Sequence, residues 1–196
     1  FWGNDFLISP VTNAGQEQQM VDFPNTGNWY DFYNNKAYVG GKSQFVNTVK
    51  TSIPTFVRGG AIIPIIDPVQ STDEYELNNF QLHYYFDQKV KKSERLIYND
   101  NGLLANAYEN DQYELLKVTA QHNSNRIQME LSATKGMHFN FDKKEIELVV
   151  HNMKKAPKKV LIKNDKLNYQ YDQLSQTFRM NLSWEPSSKK IINIKF

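Results

Sequence analysis

Arg126-Ile127-Gln128-Met129-Glu130-Leu131 switches between polar and apolar at every step. A period of two places Ile127, Met129 and Leu131 on one face of a β-strand and their polar neighbours on the other. Phe178-Arg179-Met180-Asn181-Leu182-Ser183-Trp184, Glu145-Ile146-Glu147-Leu148 and the closing Ile191-Ile192-Asn193-Ile194-Lys195-Phe196 read the same way. Between such runs stand Asn25-Thr26-Gly27, Gly40-Gly41, Gly59-Gly60, Asn101-Gly102, Asn123-Ser124-Asn125 and Asn164-Asp165. Gly and Asn tolerate the positive φ that tight hairpins demand. No segment sustains an apolar i, i+3, i+4, i+7 stripe behind a capping residue. The predicted fold class is therefore all-β, two antiparallel β-sandwich domains in tandem with little helix.

The composition can support such cores. Of 196 residues, 40% are apolar and 13% aromatic, which excludes a disordered chain. Cysteine is absent, so disulfides, thiol nucleophiles and cysteine-ligated metals are excluded, while the compartment stays open. The 23 basic and 21 acidic residues give a net charge of +2, too balanced for long-range attraction to nucleic acid or an anionic membrane. No apolar run approaches the roughly 20 residues of a membrane-spanning helix. The opening Phe1-Trp2-Gly3-Asn4-Asp5 has neither an initiator Met nor a basic leader, so the chain is expected to be a piece of something larger. Residues 1–69 hold four basic and five acidic residues, against 19 and 16 in residues 70–196. The polar stretch Asp67-Pro68-Val69-Gln70-Ser71-Thr72-Asp73-Glu74 follows the apolar run Ala61 to Ile66, so a boundary is expected there. The predicted domains are residues 1–69 and 70–196, the first small enough to need a neighbour.

Motifs that carry chemistry are scarce. There is no G-x-S-x-G elbow, and His83, His122, His138 and His151 form neither H-E-x-x-H nor an i, i+4 ligand pair. Gly40-Gly41 and Gly59-Gly60 lack a phosphate-binding context and read as turns or close backbone approaches. Around Gly102 a calcium loop of the EF-hand type would need acidic residues where Ile97 and Tyr108 stand. The groups Lys89/Lys91/Lys92, Lys143/Lys144, Lys154/Lys155 and Lys158/Lys159 lack the Arg and interleaved aromatics of a nucleic-acid platform and suit strand ends and edges. No two carboxylates single themselves out as a catalytic pair. The runs Trp29-Tyr30-Asp31-Phe32-Tyr33 and Tyr84-Tyr85-Phe86 are either core or sugar-stacking platforms. Asn181-Leu182-Ser183 is an N-glycosylation sequon with Asn181 on the polar face of its strand. No metal or cofactor is expected.

Four stretches, in order, resemble one family. Phe6-Leu7-Ile8-Ser9-Pro10-Val11 is similar to the L-L-[VI]-[AS]-P-V strand that follows the catalytic barrel of glycoside hydrolase family 31, the α-glucosidase and α-xylosidase family. Val21-Asp22-Phe23-Pro24 with Gly27-Asn28-Trp29-Tyr30-Asp31-Phe32 resembles its V-Y-L-P…G-x-W-Y-D-[FY] run. Ile53-Pro54-Thr55-Phe56-Val57-Arg58-Gly59-Gly60-Ala61-Ile62-Ile63-Pro64 resembles its I-P-[VL]-F-V-R-[AG]-G-[AS]-I-[IL]-P segment. Leu96-Ile97-Tyr98-Asn99-Asp100-Asn101-Gly102, then Ala107-Tyr108-Glu109 and Tyr113, resembles its L-Y-E-D-D-G…Y-E-x-G-x-Y element, with Asn99 and Asn101 departing from acidic positions.

The resemblance covers residues 1 to about 115 and implies a proximal and a distal C-terminal β-sandwich attached to a (β/α)8 barrel. In that family the nucleophile and the acid/base are aspartates of the barrel, so no catalytic, substrate-binding or metal residue carries over to this chain. The chain alone is expected to be inactive, a support for the barrel of an α-glucosidase. Trp29, Tyr30, Phe32 and Arg58, read as exposed, are the candidates for barrel contact. The partners expected are that barrel and an oligosaccharide, with neither nucleic acid nor membrane. A carbohydrate-binding module and an immunoglobulin-like interaction domain are the alternatives.

Overall fold

The computed structural model describes residues 1–100, 102–162 and 168–196. The turn signals at Asn101 and at Asn164-Asp165 lie outside them. Packing divides the chain into two units: Phe1–Ala61 with Tyr85–Lys91, and Ile62–Tyr84 with Lys92–Phe196. The sheets are antiparallel throughout the described pairings, as the period-two reading requires.

In the first unit, β1 (Phe6–Ile8), β2 (Gln18–Phe23), β3 (Asn28–Asp31), β4 (Ala37–Val39), β5 (Lys42–Asn47) and β6 (Thr55–Arg58) form two sheets. One has the order β1-β6-β3-β4 and the other pairs β2 with β5. Strict alternation along β2 sends Val21 and Phe23 inward and leaves Met20 and Asp22 exposed. Val21, Phe23, Trp29, Tyr38, Val46 and Phe56 make one core cluster, with Leu7 packed against it. Its rings meet edge to face or stacked: Phe23 lies 4.9 Å from Phe56 at 84° and 4.9 Å from Tyr38 at 16°. Such contacts add about 0.5–1.5 kcal/mol per pair to the gain from area burial. The indole N–H of Trp29 donates to the Pro24 carbonyl at 3.0 Å, so its one polar atom is satisfied. Gly40-Gly41 is the turn between β4 and β5, its amides donating to the carbonyls of Gly27 and Phe23.

The second unit contains β7 (Ile62–Ile65), β8 (Asn79–Tyr85, of which Tyr85 belongs to the first unit), β9 (Lys92–Asp100), β10 (Tyr113–Asn123), β11 (Arg126–Lys135), β12 (Lys144–His151), β13 (Lys159–Ile162), β14 (Tyr169–Asp172), β15 (Thr177–Trp184) and β16 (Lys190–Lys195). They form two five-stranded sheets, β13-β16-β11-β10-β9 and β14-β15-β12-β8-β7. One face of each sheet is buried: Leu116, Val118, Ala120, Ile127, Met129, Leu131, Ile192 and Ile194 in the first, Ile146, Leu148, Phe178, Met180 and Leu182 in the second. This is the arrangement of a sandwich, polar residues outside and alternating apolar residues inside.

The linear division expected at residues 69 and 70 differs from this packing in two places. The apolar run Ile62 to Ile65 is β7 and pairs with β8, Ile62 opposite Tyr84 and Ile65 opposite Gln81, so it lies in the second unit. Residues Tyr85–Lys91 return to the first. Hydrogen bonding, not the polar composition after Ile66, sets these limits. Among the described residues no helix is long and apolar enough to cross a membrane.

Candidate functional site

Trp29, Tyr30, Phe32 and Arg58 sit on or beside the adjacent strands β3 and β6, where Trp29 is opposite Arg58 and Tyr30 opposite Val57. Their exposure departs from expectation. Trp29 is 0% exposed, inside the core cluster. Tyr30 points to the other face of β3 yet is also buried, its ring 6.4 Å from that of Tyr85. Phe32 is half-buried, edge-on to Phe6 at 5.8 Å. Arg58 keeps part of its surface and binds Asp5 at 2.8 Å. Of the run Trp29 to Tyr33, only Tyr33 is openly exposed. Tyr84, Tyr85 and Phe86 are buried, so they are core and not a sugar platform. Burial, with Asp31 nearby, pushes the Tyr85 phenol above its usual range.

The Gly59-Gly60 turn is a close approach. The Asp87 carboxylate accepts the backbone N–H of Asn28 at 2.8 Å and that of Lys89 at 2.9 Å. A Cβ at Gly59 would lie 2.5 Å from Asp87 Oδ2, so a side chain there cannot coexist with this bond. The Gly59 amide donates to the Asn28 carbonyl at 2.8 Å and the Gly60 amide to the Tyr85 carbonyl at 2.7 Å, which joins both strands to the returning segment.

At one end of the second unit lies a buried polar centre absent from the sequence reading. Alternation turns Asn99 of β9 and Glu114 of β10 inward, directly opposite one another. Lys144 of β12 reaches across from the other sheet and donates to Glu114 Oε1 at 2.5 Å and to Asn78 Oδ1 at 2.9 Å. Asn99 donates to the same Glu114 oxygen at 2.7 Å. The side chains of Glu114 and Lys144 are 0% and 1% exposed. A pair so deeply buried is costly to desolvate and more costly still to break from one side.

On the outer face of the same two strands the aromatic residues gather. Tyr98 of β9, Tyr113 of β10 and Tyr108 of the connecting loop have ring centroids 4.5 Å (108 to 113), 6.0 Å (98 to 113) and 6.4 Å (98 to 108) apart. Tyr98 and Tyr108 are 44% and 56% exposed. The Tyr98 hydroxyl donates to Asp100 at 2.7 Å, and this bond foremost raises its pKa to about 12. The loop beneath Tyr108 is anchored. Ala107 is buried, the Asp111 carbonyl accepts the N–H of His138, and a Cβ at Gly136 would sit 2.2 Å from that carbonyl. Sequence placed these tyrosines in a motif; the alternation that separates Tyr98 from Asn99 was the signal for an outward cluster.

His83 of β8 and His151 of β12 also come together, 68 residues apart in sequence. His83 Nδ1 and His151 Nε2 are 2.9 Å apart, and the rings stack at 5.1 Å. With Gln81 Oε1 accepting from His83 Nε2–H at 2.8 Å, the His151 N–H donates to His83 Nδ1. Burial above all holds His83 down at about 4 and His151 at about 3, and Arg179 lowers both further. Among the described residues no three His, Asp or Glu side chains converge as a metal site would require.

Residues 1–63 match the glycosyl hydrolase family 31 C-terminal domain. The chain is 39% identical over 106 residues to an α-glucosidase of Mucor javanicus, a match that spans 51% of this chain and 12% of that protein. It is 31% identical over 119 residues to an α-xylosidase of Saccharolobus solfataricus, spanning 60% of this chain and 16% of the relative. The fold is similar to that of a Flavobacterium johnsoniae family 31 dextranase solved with glucose, TM-score 0.87 at 21% identity, over 99% of this chain and 26% of the other. The chain is thus much shorter than the relatives it matches. The family model over residues 1–63, the motifs in order and the antiparallel sheets together bear out the resemblance to the C-terminal β-sandwich region of glycoside hydrolase family 31.

Proposed function

We propose that this chain is the non-catalytic C-terminal part of a longer family 31 α-glycosidase, an α-glucosidase that releases terminal α-linked glucose with retention, and that it steadies a catalytic (β/α)8 barrel. One observation carries the reading. The buried carboxylates among the described residues are Asp5, Asp87 and Glu114, and each holds the chain's own structure: Asp5 binds Arg58, Asp87 the backbone of Asn28 and Lys89, Glu114 the Lys144 ammonium. A retaining glycosidase needs two carboxyl groups about 5–5.5 Å apart and open to a sugar. Each of the three is engaged by a different partner: Asp5 precedes β1, Asp87 follows β8 and Glu114 lies in β10.

Of the candidates for barrel contact, Phe32 and Arg58 retain surface and would touch the catalytic module directly. Trp29 and Tyr30 would act from within by fixing β3. The chain is expected to leave p-nitrophenyl α-glucoside unhydrolysed and to co-elute with a separately expressed catalytic module of its own protein. Turnover by the chain alone, lost on replacing one of its carboxylates, would overturn the reading; so would failure of the two parts to associate when the uncut protein is active.

A further inference from the structure

We propose that Tyr98, Tyr108 and Tyr113, with the Asp100 carboxylate, form a stacking site for a neutral sugar ring of an oligosaccharide. The inference goes beyond the supporting role above and stands on the geometry of the second unit; only the choice of α-glucans as first probes rests on that reading.

A pyranose presents a flat apolar C–H face and a rim of hydroxyl donors and acceptors. It therefore needs an aromatic face with acceptors at its border. Tyr108 stacks on Tyr113 at 4.5 Å and 30°, so the face offered is the outer face of that stack, on the exposed Tyr108, with Tyr98 beside it at 48°, short of the crossed walls of a cage. A cage of crossed rings would favour a quaternary cation. The border is polar and acidic. Asp100 accepts from the Tyr98 hydroxyl and from the Gly102 amide, and Glu109 and Asp111 act electrostatically on Tyr98 and Tyr113 respectively. That acidity excludes phosphorylated and other anionic ligands, while carboxylate oxygens accept sugar hydroxyls well.

Packing alone does not account for the cluster. Inward from it the same strands are already secured by Asn99, Glu114 and Lys144. Tyr98, on β9 at the edge of its sheet, leaves 44% of its surface to solvent, and Tyr108, on the connecting loop, 56%. The anchored loop holds Tyr108 in place before any ligand arrives, which limits the ordering cost of binding.

The test titrates the full 196-residue chain, ¹⁵N-labelled, with maltotetraose, isomaltotetraose and a xyloglucan oligosaccharide. At least one is expected to bind with a dissociation constant on the order of 1 mM, with shifts confined to residues around Tyr98–Asp100 and Tyr108–Tyr113. Tyr108→Ala, on an exposed loop, is expected to weaken binding at least tenfold with an unchanged backbone spectrum, and Tyr108→Phe to stay within about threefold, because stacking and not the hydroxyl dominates. No shift at 50-fold the expected constant, about 50 mM, overturns the proposal. So do shifts elsewhere, or tetramethylammonium binding there more tightly than every sugar. If Tyr108→Ala instead abolishes co-elution with the catalytic module, the cluster is a protein-docking face, and the supporting role survives while this proposal does not.

Discussion

Two aromatic clusters of similar size have opposite fates in this molecule. In the first unit Phe23, Trp29, Tyr38 and Phe56 close on one another between two sheets. In the second, Tyr98, Tyr108 and Tyr113 gather on the solvent side of two strands whose otherwise aliphatic inner face carries Asn99 and Glu114 at that end. The difference lies in what backs each cluster. The first unit's strands are short, and their aromatics supply most of its core. The second unit's sheets are long and aliphatic, so its outer aromatics are free for recognition. The contrast says that aromatic content in a β-protein signals function only where the core is filled by something else.

The strongest way to break the comparison is Phe56→Ala, which removes a ring in contact with both Phe23 and Tyr38. It is expected to cost about 3–5 kcal/mol, read as loss of cooperative unfolding of the first unit in urea. Lys144→Ala is expected to cost the second unit about 3–5 kcal/mol, because it strands the Glu114 carboxylate in the interior; the paired change Lys144→Met with Glu114→Leu should recover most of that loss. An urea midpoint series checks both.

Acid sharpens the contrast without mutation. His83 and His151 have folded pKa values near 4 and 3 against an ordinary 6.5, so between those limits the unfolded chain binds more protons than the folded one. Stability is therefore complete above pH 6.5 and falls as the pH drops from 6.5 toward 4, by at most about 1.4 kcal/mol per pH unit for each imidazole. Arg179 faces the pair and deepens the loss, and Glu147 partly offsets it at His83. The midpoint of the second unit should move over this range, and His83→Gln with His151→Gln should flatten the slope. The smallest expected effect is Tyr108→Ala, about 0.5–1 kcal/mol in stability by thermal melting, a change far below that of Phe56→Ala despite a similar ring contact.

Period-two alternation made β11, β15, β16 and the first half of β12 legible from sequence, because there one face is buried and the other meets solvent; from Leu148 to His151 β12 is buried on both faces. The reading of Trp29 and Tyr30 as exposed failed on β3: both are buried, Trp29 in the core cluster and Tyr30 beside the ring of Tyr85, 55 residues further on. The glycine pair at 59 and 60 was readable as a close approach, but its partner Asp87 was not, because a single aspartate carries no mark of what it will cap. Lys144 looked like one of a surface pair; only the register that sets Glu114 against Asn99 reveals why one lysine of the two turns inward.

The segment Tyr85–Lys91 has one more implication. The backbone passes from the first unit to the second after Ala61, returns after Tyr84 and leaves again after Lys91. No single cut therefore yields two intact pieces. A truncation after Val69 discards Asp87 and leaves the Asn28 amide without its acceptor, and one after Lys91 takes β7 and β8 away from the sheet they complete. Anyone grafting these modules onto another enzyme, or any lineage that recombines them, must move the whole stretch as one cassette, with linear domain boundaries a poor guide to where splicing will succeed.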